Sequence, residues 1–221
     1  MVSPNHGPRR DGLMPELVVI HFTAMQSAPL ARARLCDPLT EVSAHWLLDY
    51  DGHAEPLVPE ALRAWHAGAG EWAGRGDVNS RSIGIELANN GAEPFPAAQM
   101  AALERLLAGI LDRWQIPPQG VIGHSDMAPA RKSDPGARFD WKRLAFQGLS
   151  VWPAPQEAVP DASGFARDLV SFGYPPAAPE ILLAAFRLRF APWRRGPLSP
   201  RDCGEAADLA RRYPVHASRL T

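Results

Sequence analysis

The chain has 221 residues, 46% of them hydrophobic, and a formal net charge of -1 from 23 basic and 24 acidic side chains. That is enough apolar material for one sizeable core and a small second module, and the charge is too balanced for the long-range field of a nucleic-acid or membrane-surface binder. Cys36 and Cys203 are far apart and lack CxxC spacing, so they read as buried or half-buried thiols that demand no oxidising compartment.

Met1 to Met14 is polar and rich in Pro, Gly and Arg. It lacks the apolar core of a secretory signal, and no later stretch approaches a membrane span. As written the chain reads as cytoplasmic; a periplasmic or envelope protein whose export signal had been removed would read the same way. Leu17 to Phe22 is short, apolar and β-branched at its centre, which predicts a buried strand. A short helix is expected around Leu30–Leu35. Ser43 to Tyr50 reads as a strand, Asp51-Gly52 as a tight turn and Ala54 to Val58 as the return strand.

Ala64 to Gly70 is a glycine-rich loop carrying Trp65 and His66, and Arg75 to Arg81 is polar and reads as irregular. Ser82 to Leu87 returns to a core-strand pattern, interrupted by Gly84 and Glu86. Between Pro96 and Trp114, Met100, Leu103, Leu107, Ile110 and Trp114 recur at helical spacing, and Ile116-Pro117-Pro118 ends that helix. Val121-Ile122 predicts a short parallel strand leading into the loop Gly123 to Gly136, and Phe139 to Leu144 begins another helix. Trp152 to Pro160 holds three prolines and reads as a linker. Three helices follow, Ser163–Phe172, Pro179–Phe190 and Pro200–Arg212, the last capped by Ser199 ahead of Pro200. The expected architecture is α/β: a central mixed β-sheet flanked by helices, with a small all-helical C-terminal domain. The segments are a polar 1–13, a sheet-and-helix unit 14–152, a proline-rich linker 153–160 and a helical module 161–221. No Gly-rich phosphate loop follows a strand.

Chemistry concentrates in three places. His21 lies at the mouth of the first buried strand, and His124 and Asp134 share a proline-punctuated loop. Two imidazoles and one carboxylate suit Zn2+, and three protein ligands leave a position for water. Glu86, stranded in an apolar run, is either a proton handler or half of a buried salt bridge to an arginine. Lys132, two residues before Asp134, either donates to a developing oxyanion or is simply solvated. His45 faces the cleft or the sheet flank, His66 can line the same cleft beside Trp65, and Asn79 orients a ligand or caps a turn.

Val19-Ile20-His21-Phe22-Thr23-Ala24, Ser43-Ala44-His45, Trp65-His66-Ala67-Gly68, Ser82-Ile83-Gly84-Ile85-Glu86 and the Gly123–Gly136 loop occur in an order that resembles the zinc amidase type 2 family. That family comprises N-acetylmuramoyl-L-alanine amidases, phage-type amidases and peptidoglycan recognition proteins. The resemblance covers residues 14–150 and makes 14–152 a catalytic domain of that fold. It implies zinc on His21, His124 and Asp134, Glu86 as general acid/base and Lys132 as transition-state stabiliser. His45, Trp65, His66 and Asn79 are the expected substrate contacts. The implied reaction is hydrolysis of the amide joining the lactyl group of N-acetylmuramic (or anhydro-muramic) acid to L-alanine, in bacterial peptidoglycan turnover or muropeptide recycling. The expected partners are therefore peptidoglycan or muropeptide fragments, with no nucleic acid, and the chain is compatible with a monomer. Phe165, Leu169, Phe172-Gly173-Tyr174 and Phe186…Phe190 resemble the small helical peptidoglycan-binding domain of some bacterial members; a helical cap packed on the catalytic unit is the alternative. Two other functions compete: a noncatalytic peptidoglycan-binding protein, and a zinc hydrolase of another N-acyl amide.

Overall fold

The computed structural model describes residues 2–215. Met1 of the polar segment and residues 216–221 of the helical module lie outside the described residues. In chain order the strands are β1 (His6–Gly7), β2 (Leu17–Phe22), β3 (Trp46–Leu48), β4 (Ala54–Pro56), β5 (Arg63–Ala64), β6 (Ser82–Leu87) and β7 (Val121–Gly123). The helices are α1 (Ala28–Cys36), α2 (Val78–Arg81), α3 (Ala97–Trp114), α4 (His124–Met127), α5 (Trp141–Phe146), α6 (Ala162–Phe172), α7 (Pro179–Phe190) and α8 (Pro200–Arg212). Among the described residues no helix is long and apolar enough to cross a membrane.

Five strands form a mixed sheet in the order β4-β3-β6-β2-β7, and β1 pairs with β5 in a separate two-stranded ribbon. Within the large sheet β2, β3, β6 and β7 are parallel, while β4 returns antiparallel to β3. The central strand reads Leu-Val-Val-Ile-His-Phe because both of its faces are covered, as parallel strands require. Its two-residue period divides the molecule. Val18 and Ile20 point with Ile83 and Ile85 into a core filled by Met100, Leu103, Leu107 and Ile110 of α3. Leu17 and Val19 point the other way, into a second core with Ile122, Met127, Phe165, Leu169, Phe172, Phe186, Phe190 and Leu209. One apolar cluster thus runs from the sheet into α6, α7 and α8, which lie against its second face.

Several segments differ from the sequence expectation, each for a local reason. The strand expected from Ser43 to Tyr50 pairs only over Trp46–Leu48: Ser43 bonds Asn5 O and Trp65 O of neighbouring segments, and His45 meets β6 at Gly84 through both its N–H and its ring Nδ1. Within the segment read as irregular, Val78–Arg81 closes one helical turn. The proline-punctuated loop begins with the single turn α4. The polar N-terminal segment is part of the fold: Ser3 Oγ donates to Leu35 O, Asn5 Nδ2 to Asp37 O and Val42 O, and the Arg9 guanidinium to Ser80 O, Ser82 O and Glu60 O. Its polarity serves backbone carbonyls rather than water. The proline-rich stretch is likewise no free spacer. It lies along α8, where Ala154 N–H donates to Asp208 and Ala158 N–H to Pro200 O, and it passes so close to Gly204 that a Cβ there would strike the Gln156 carbonyl.

Candidate metal centre

Parallel pairing brings the carboxyl ends of β2, β6 and β7 to one edge, the usual location of ligand sites in such sheets. His21 is the fifth residue of β2 and stands in register with Glu86 of β6, so both side chains leave the same face side by side. β7 ends at Gly123, and His124 opens α4 at the same edge. The loop then returns Asp134, whose carbonyl accepts from Ser125 N–H, to lie against both histidines.

Three donor atoms meet there. His21 Nδ1 is 3.0 Å from His124 Nδ1, and Asp134 Oδ2 is 2.9 Å from the first and 3.0 Å from the second. The hydrogen bonds behind them fix which ring nitrogens carry protons. His124 Nε2 is 2.9 Å from Ala67 O, and a carbonyl only accepts, so Nε2 carries a proton and in the neutral ring Nδ1 is the bare nitrogen. For His21 the chain of inference is longer. Ser82 Oγ donates its hydrogen to Val78 O at 2.5 Å, so it accepts from His66 Nε2 at 3.2 Å. His66 Nδ1 is then an acceptor and takes the Nε2–H of His21 at 3.0 Å, which leaves His21 Nδ1 bare. Burial lowers the pKa of His21 to about 4, helped by the neighbouring His124, so the ring is neutral at physiological pH. Burial raises Asp134, but its close contacts with the His124 and His21 rings outweigh it and hold the carboxyl well below the usual range.

Two lone pairs and a carboxylate therefore face one another with no hydrogen between them, an arrangement that repels unless a cation sits among them. The donor set is the neutral-imidazole and carboxylate chemistry that zinc prefers, and a triangle of this size fits zinc's ligand distances of about 2.0–2.2 Å. Among the described residues this is the cluster that can hold a metal ion: His21, His124 and Asp134.

Beside it, Glu86 has a buried Oε2 with no hydrogen-bond partner, and no arginine pairs with it among the described residues. Burial, reinforced by the Asp134 charge and partly offset by Lys132, pushes its pKa up to about 8. His21, Glu86, His124 and Asp134 line a cleft of about 390 Å³, with Trp65, His66 and Lys132 on its wall. Arg34 and Arg131, which the sequence reading did not single out, also line it.

Two expected substrate contacts are corrected by the geometry. His45 is fully buried: its Nδ1 accepts from Gly84 N–H at 2.9 Å and its Nε2 lies 3.1 Å from Leu62 O. Asn79 is buried too, and its Oδ1 accepts from the N–H groups of His66 and Ala67 at 3.0 and 2.8 Å. Both hold the loop that carries the cleft wall and neither lines the cleft. His66 does line it, yet its ring nitrogens are occupied by His21 and Ser82. Sequence reasoning did not find Ser82 or the Ala67 carbonyl; their proximity to named motifs was the only signal available.

A buried three-ligand metal site with a protonatable carboxylate at its side defines a metal-dependent hydrolase centre. The sequence model of the N-acetylmuramoyl-L-alanine amidases matches residues 11–137. The N-acetylmuramoyl-L-alanine amidase AmiD of Escherichia coli is 36% identical over 211 residues, spanning 80% of this chain and 75% of that protein. The 1,6-anhydro-N-acetylmuramyl-L-alanine amidase AmpD of Escherichia coli is 33% identical over 159 residues, 64% of this chain and 87% of its own length. The solved complex of E. coli AmiD with the substrate anhydro-N-acetylmuramic acid-L-Ala-D-gamma-Glu-L-Lys superposes with a TM-score of 0.81 at 33% identity, covering 92% of each chain. The chain belongs to the N-acetylmuramoyl-L-alanine amidase family.

Proposed function

We propose that the cleft hydrolyses the amide between the lactyl carbonyl of an N-acetylmuramyl or anhydro-N-acetylmuramyl group and the L-alanine nitrogen of the stem peptide. The chain is a zinc-dependent N-acetylmuramoyl-L-alanine amidase, and the observation that carries this reading is the convergence of three proton-free donors beside the unpaired Glu86. The likeness to AmiD, whose solved complex holds an anhydro-muramyl peptide, supports the substrate class.

When bound, zinc makes a water a competent nucleophile near neutral pH and polarises the carbonyl it contacts. Glu86 takes the proton of the attacking water at its free carboxylate oxygen and returns it to the departing alanine nitrogen. A pKa of about 8 suits a group that must both accept and release a proton near neutrality. Lys132, half-buried on the wall, directs its ammonium toward the carbonyl oxygen as negative charge develops there. Trp65 offers a flat apolar surface to the sugar–peptide junction. His21, His124 and Asp134 hold the ion and do no proton work themselves.

The test is digestion of purified muropeptides followed by mass spectrometry. The native chain releases free stem peptide, verified zinc removal abolishes release, and Glu86→Gln lowers kcat by roughly 10²–10⁴-fold with zinc still bound. A Glu86→Gln enzyme that turns over at the native rate would reject the assignment of Glu86. Binding of muropeptides without any cleavage would identify a noncatalytic binder instead.

A further inference from the structure

The chemistry above leaves unused one charge pair withdrawn from solvent. Asp126 and Arg189 meet at 2.7 Å with both side chains 0% exposed. Such a pair adds little net stability, because desolvating two ions cancels most of their attraction. Its position is more informative. Asp126 lies in α4, two residues after the metal ligand His124, whereas Arg189 comes from α7 in the C-terminal helices.

Asp126 Oδ2 accepts from Gly123 N–H at 2.8 Å, closing the start of α4 from within. Its other oxygen accepts from the Tyr174 hydroxyl at 2.6 Å. Arg189 Nη1 donates to Asp126, while Nη2 donates to Val121 O at 2.9 Å and to Ser150 Oγ at 3.2 Å. One guanidinium therefore ties β7 to α4 across the Gly123–His124 junction. The guanidinium is itself held, 4.5 Å over the Trp141 ring and 4.8 Å from that of Phe190. A helix of four residues cannot sustain its own geometry, so the conformation that aims His124 is imposed from outside.

We infer that Arg189 and Tyr174 are positioning residues for the metal ligand His124, acting through Asp126, so that the C-terminal helices complete the zinc site. This rests on His124 being a ligand, as proposed above. Zinc recognition by this centre is then a property of the sheet edge and the helices together, and the helices do more than cover apolar surface.

The test uses the full chain, stripped of metal and titrated with zinc against a chromophoric chelator, with Tm measured alongside. Tyr174→Phe and Arg189→Lys each weaken zinc binding by ~10–100-fold, the usual effect of removing a group that orients a ligand. Phe186→Leu, in the same apolar cluster but outside the hydrogen-bond network, lowers Tm and leaves zinc affinity unchanged. Parent-like zinc affinity in Tyr174→Phe and Arg189→Lys overturns the inference, as does an equal loss of affinity in Phe186→Leu. If Arg189→Lys does not fold, Tyr174→Phe decides, since it keeps the ring packed on Trp72 and removes one hydroxyl. His124→Ala separates the two readings: full zinc occupancy there removes His124 from the ligand set, whereas zinc loss there with a parent-like Tyr174→Phe removes only the positioning role.

Discussion

His21 can bind a cation through Nδ1 only while its proton stays on Nε2, and His66, Ser82 and Val78 O act in series to keep it there. The last hydroxyl in that series governs the rest. Ser82→Ala deletes the acceptor of His66 Nε2–H, frees His66 to adopt the other tautomer, and turns its Nδ1 into a competing donor toward His21. We expect zinc affinity to fall ~10–100-fold with little change in Tm, read by the same chelator competition. An unchanged affinity would show that His21 keeps its tautomer without help. The ligands themselves were legible in the sequence because each is a polar residue set against an apolar strand or a proline-bound loop. Glu86 was legible for the same reason, a carboxylate inside Ser-Ile-Gly-Ile-Glu-Leu. What the sequence does not encode locally is the direction of a hydrogen bond. His45, His66 and Asn79 were therefore assigned to the substrate, when the first and last brace the loop and His66 orients a ligand.

At the scale of elements, the pairing of β2 with β6 does the positioning, and one glycine allows the third layer to approach it. Gly84 pairs with Val19 two positions before the His21–Glu86 pair, and the His66 ring occupies the space where its side chain would be. Gly84→Ala drives a methyl group into that ring. It should cost about 1–3 kcal/mol of stability by overpacking and weaken zinc binding as well, because His66 must move away from His21. Gly7→Ala in β1, where a Cβ would meet nothing, is the control and should be silent in both thermal melts and zinc titration. A silent Gly84→Ala would mean that the His66 layer is loosely held. The long periodic elements, α3 and α6 to α8, were readable because three- and four-residue apolar spacing survives in them over several turns. The single turns α2 and α4 were not, since four residues carry no period. The strand at Trp46–Leu48 is shorter than the pattern implies because Ser43 bonds Asn5 O and Trp65 O, while His45, beside Gly84 of β6, directs its ring Nδ1 as well as its N–H to that residue.

For the whole molecule, folding puts several titratable groups out of water at once, and their signs determine the response to acid. Burial lowers His45 to about 4, against an ordinary 6.5, and His21 and His66 move in the same direction. A base whose folded pKa is depressed is protonated first in the unfolded chain, so stability is full above 6.5 and is lost as pH falls from there toward 4. For His45 alone that amounts to roughly 3 kcal/mol. Asp202 supplies a second step. Burial raises it, but hydrogen bonds from Arg187, Ser199 and Arg194 prevail and bring it from 3.8 to about 2. Its contribution is present above the unfolded value and disappears as pH falls toward 2, about 2 kcal/mol at most. Glu86 works in the opposite sense: burial raises it from 4.5 to about 8, so its contribution grows as pH falls from 8 toward 4.5 and offsets one of the histidines. Without zinc, the urea midpoint should therefore rise from pH 8 to 7, decline from 6.5 to 4 where the three histidines outweigh Glu86, and decline again below. Asp202→Asn should reduce the lower decline, to which Asp134 and Asp208 also contribute, and spare the upper one. With zinc bound, the midpoint should stand higher and the decline should extend to lower pH, because the ion competes with protons for His21 in the folded chain. A midpoint that stays level from pH 7 to 4 in the metal-free protein would show that the buried histidines do not remain neutral in the folded chain, and with it the tautomer assignment at the metal centre would fail.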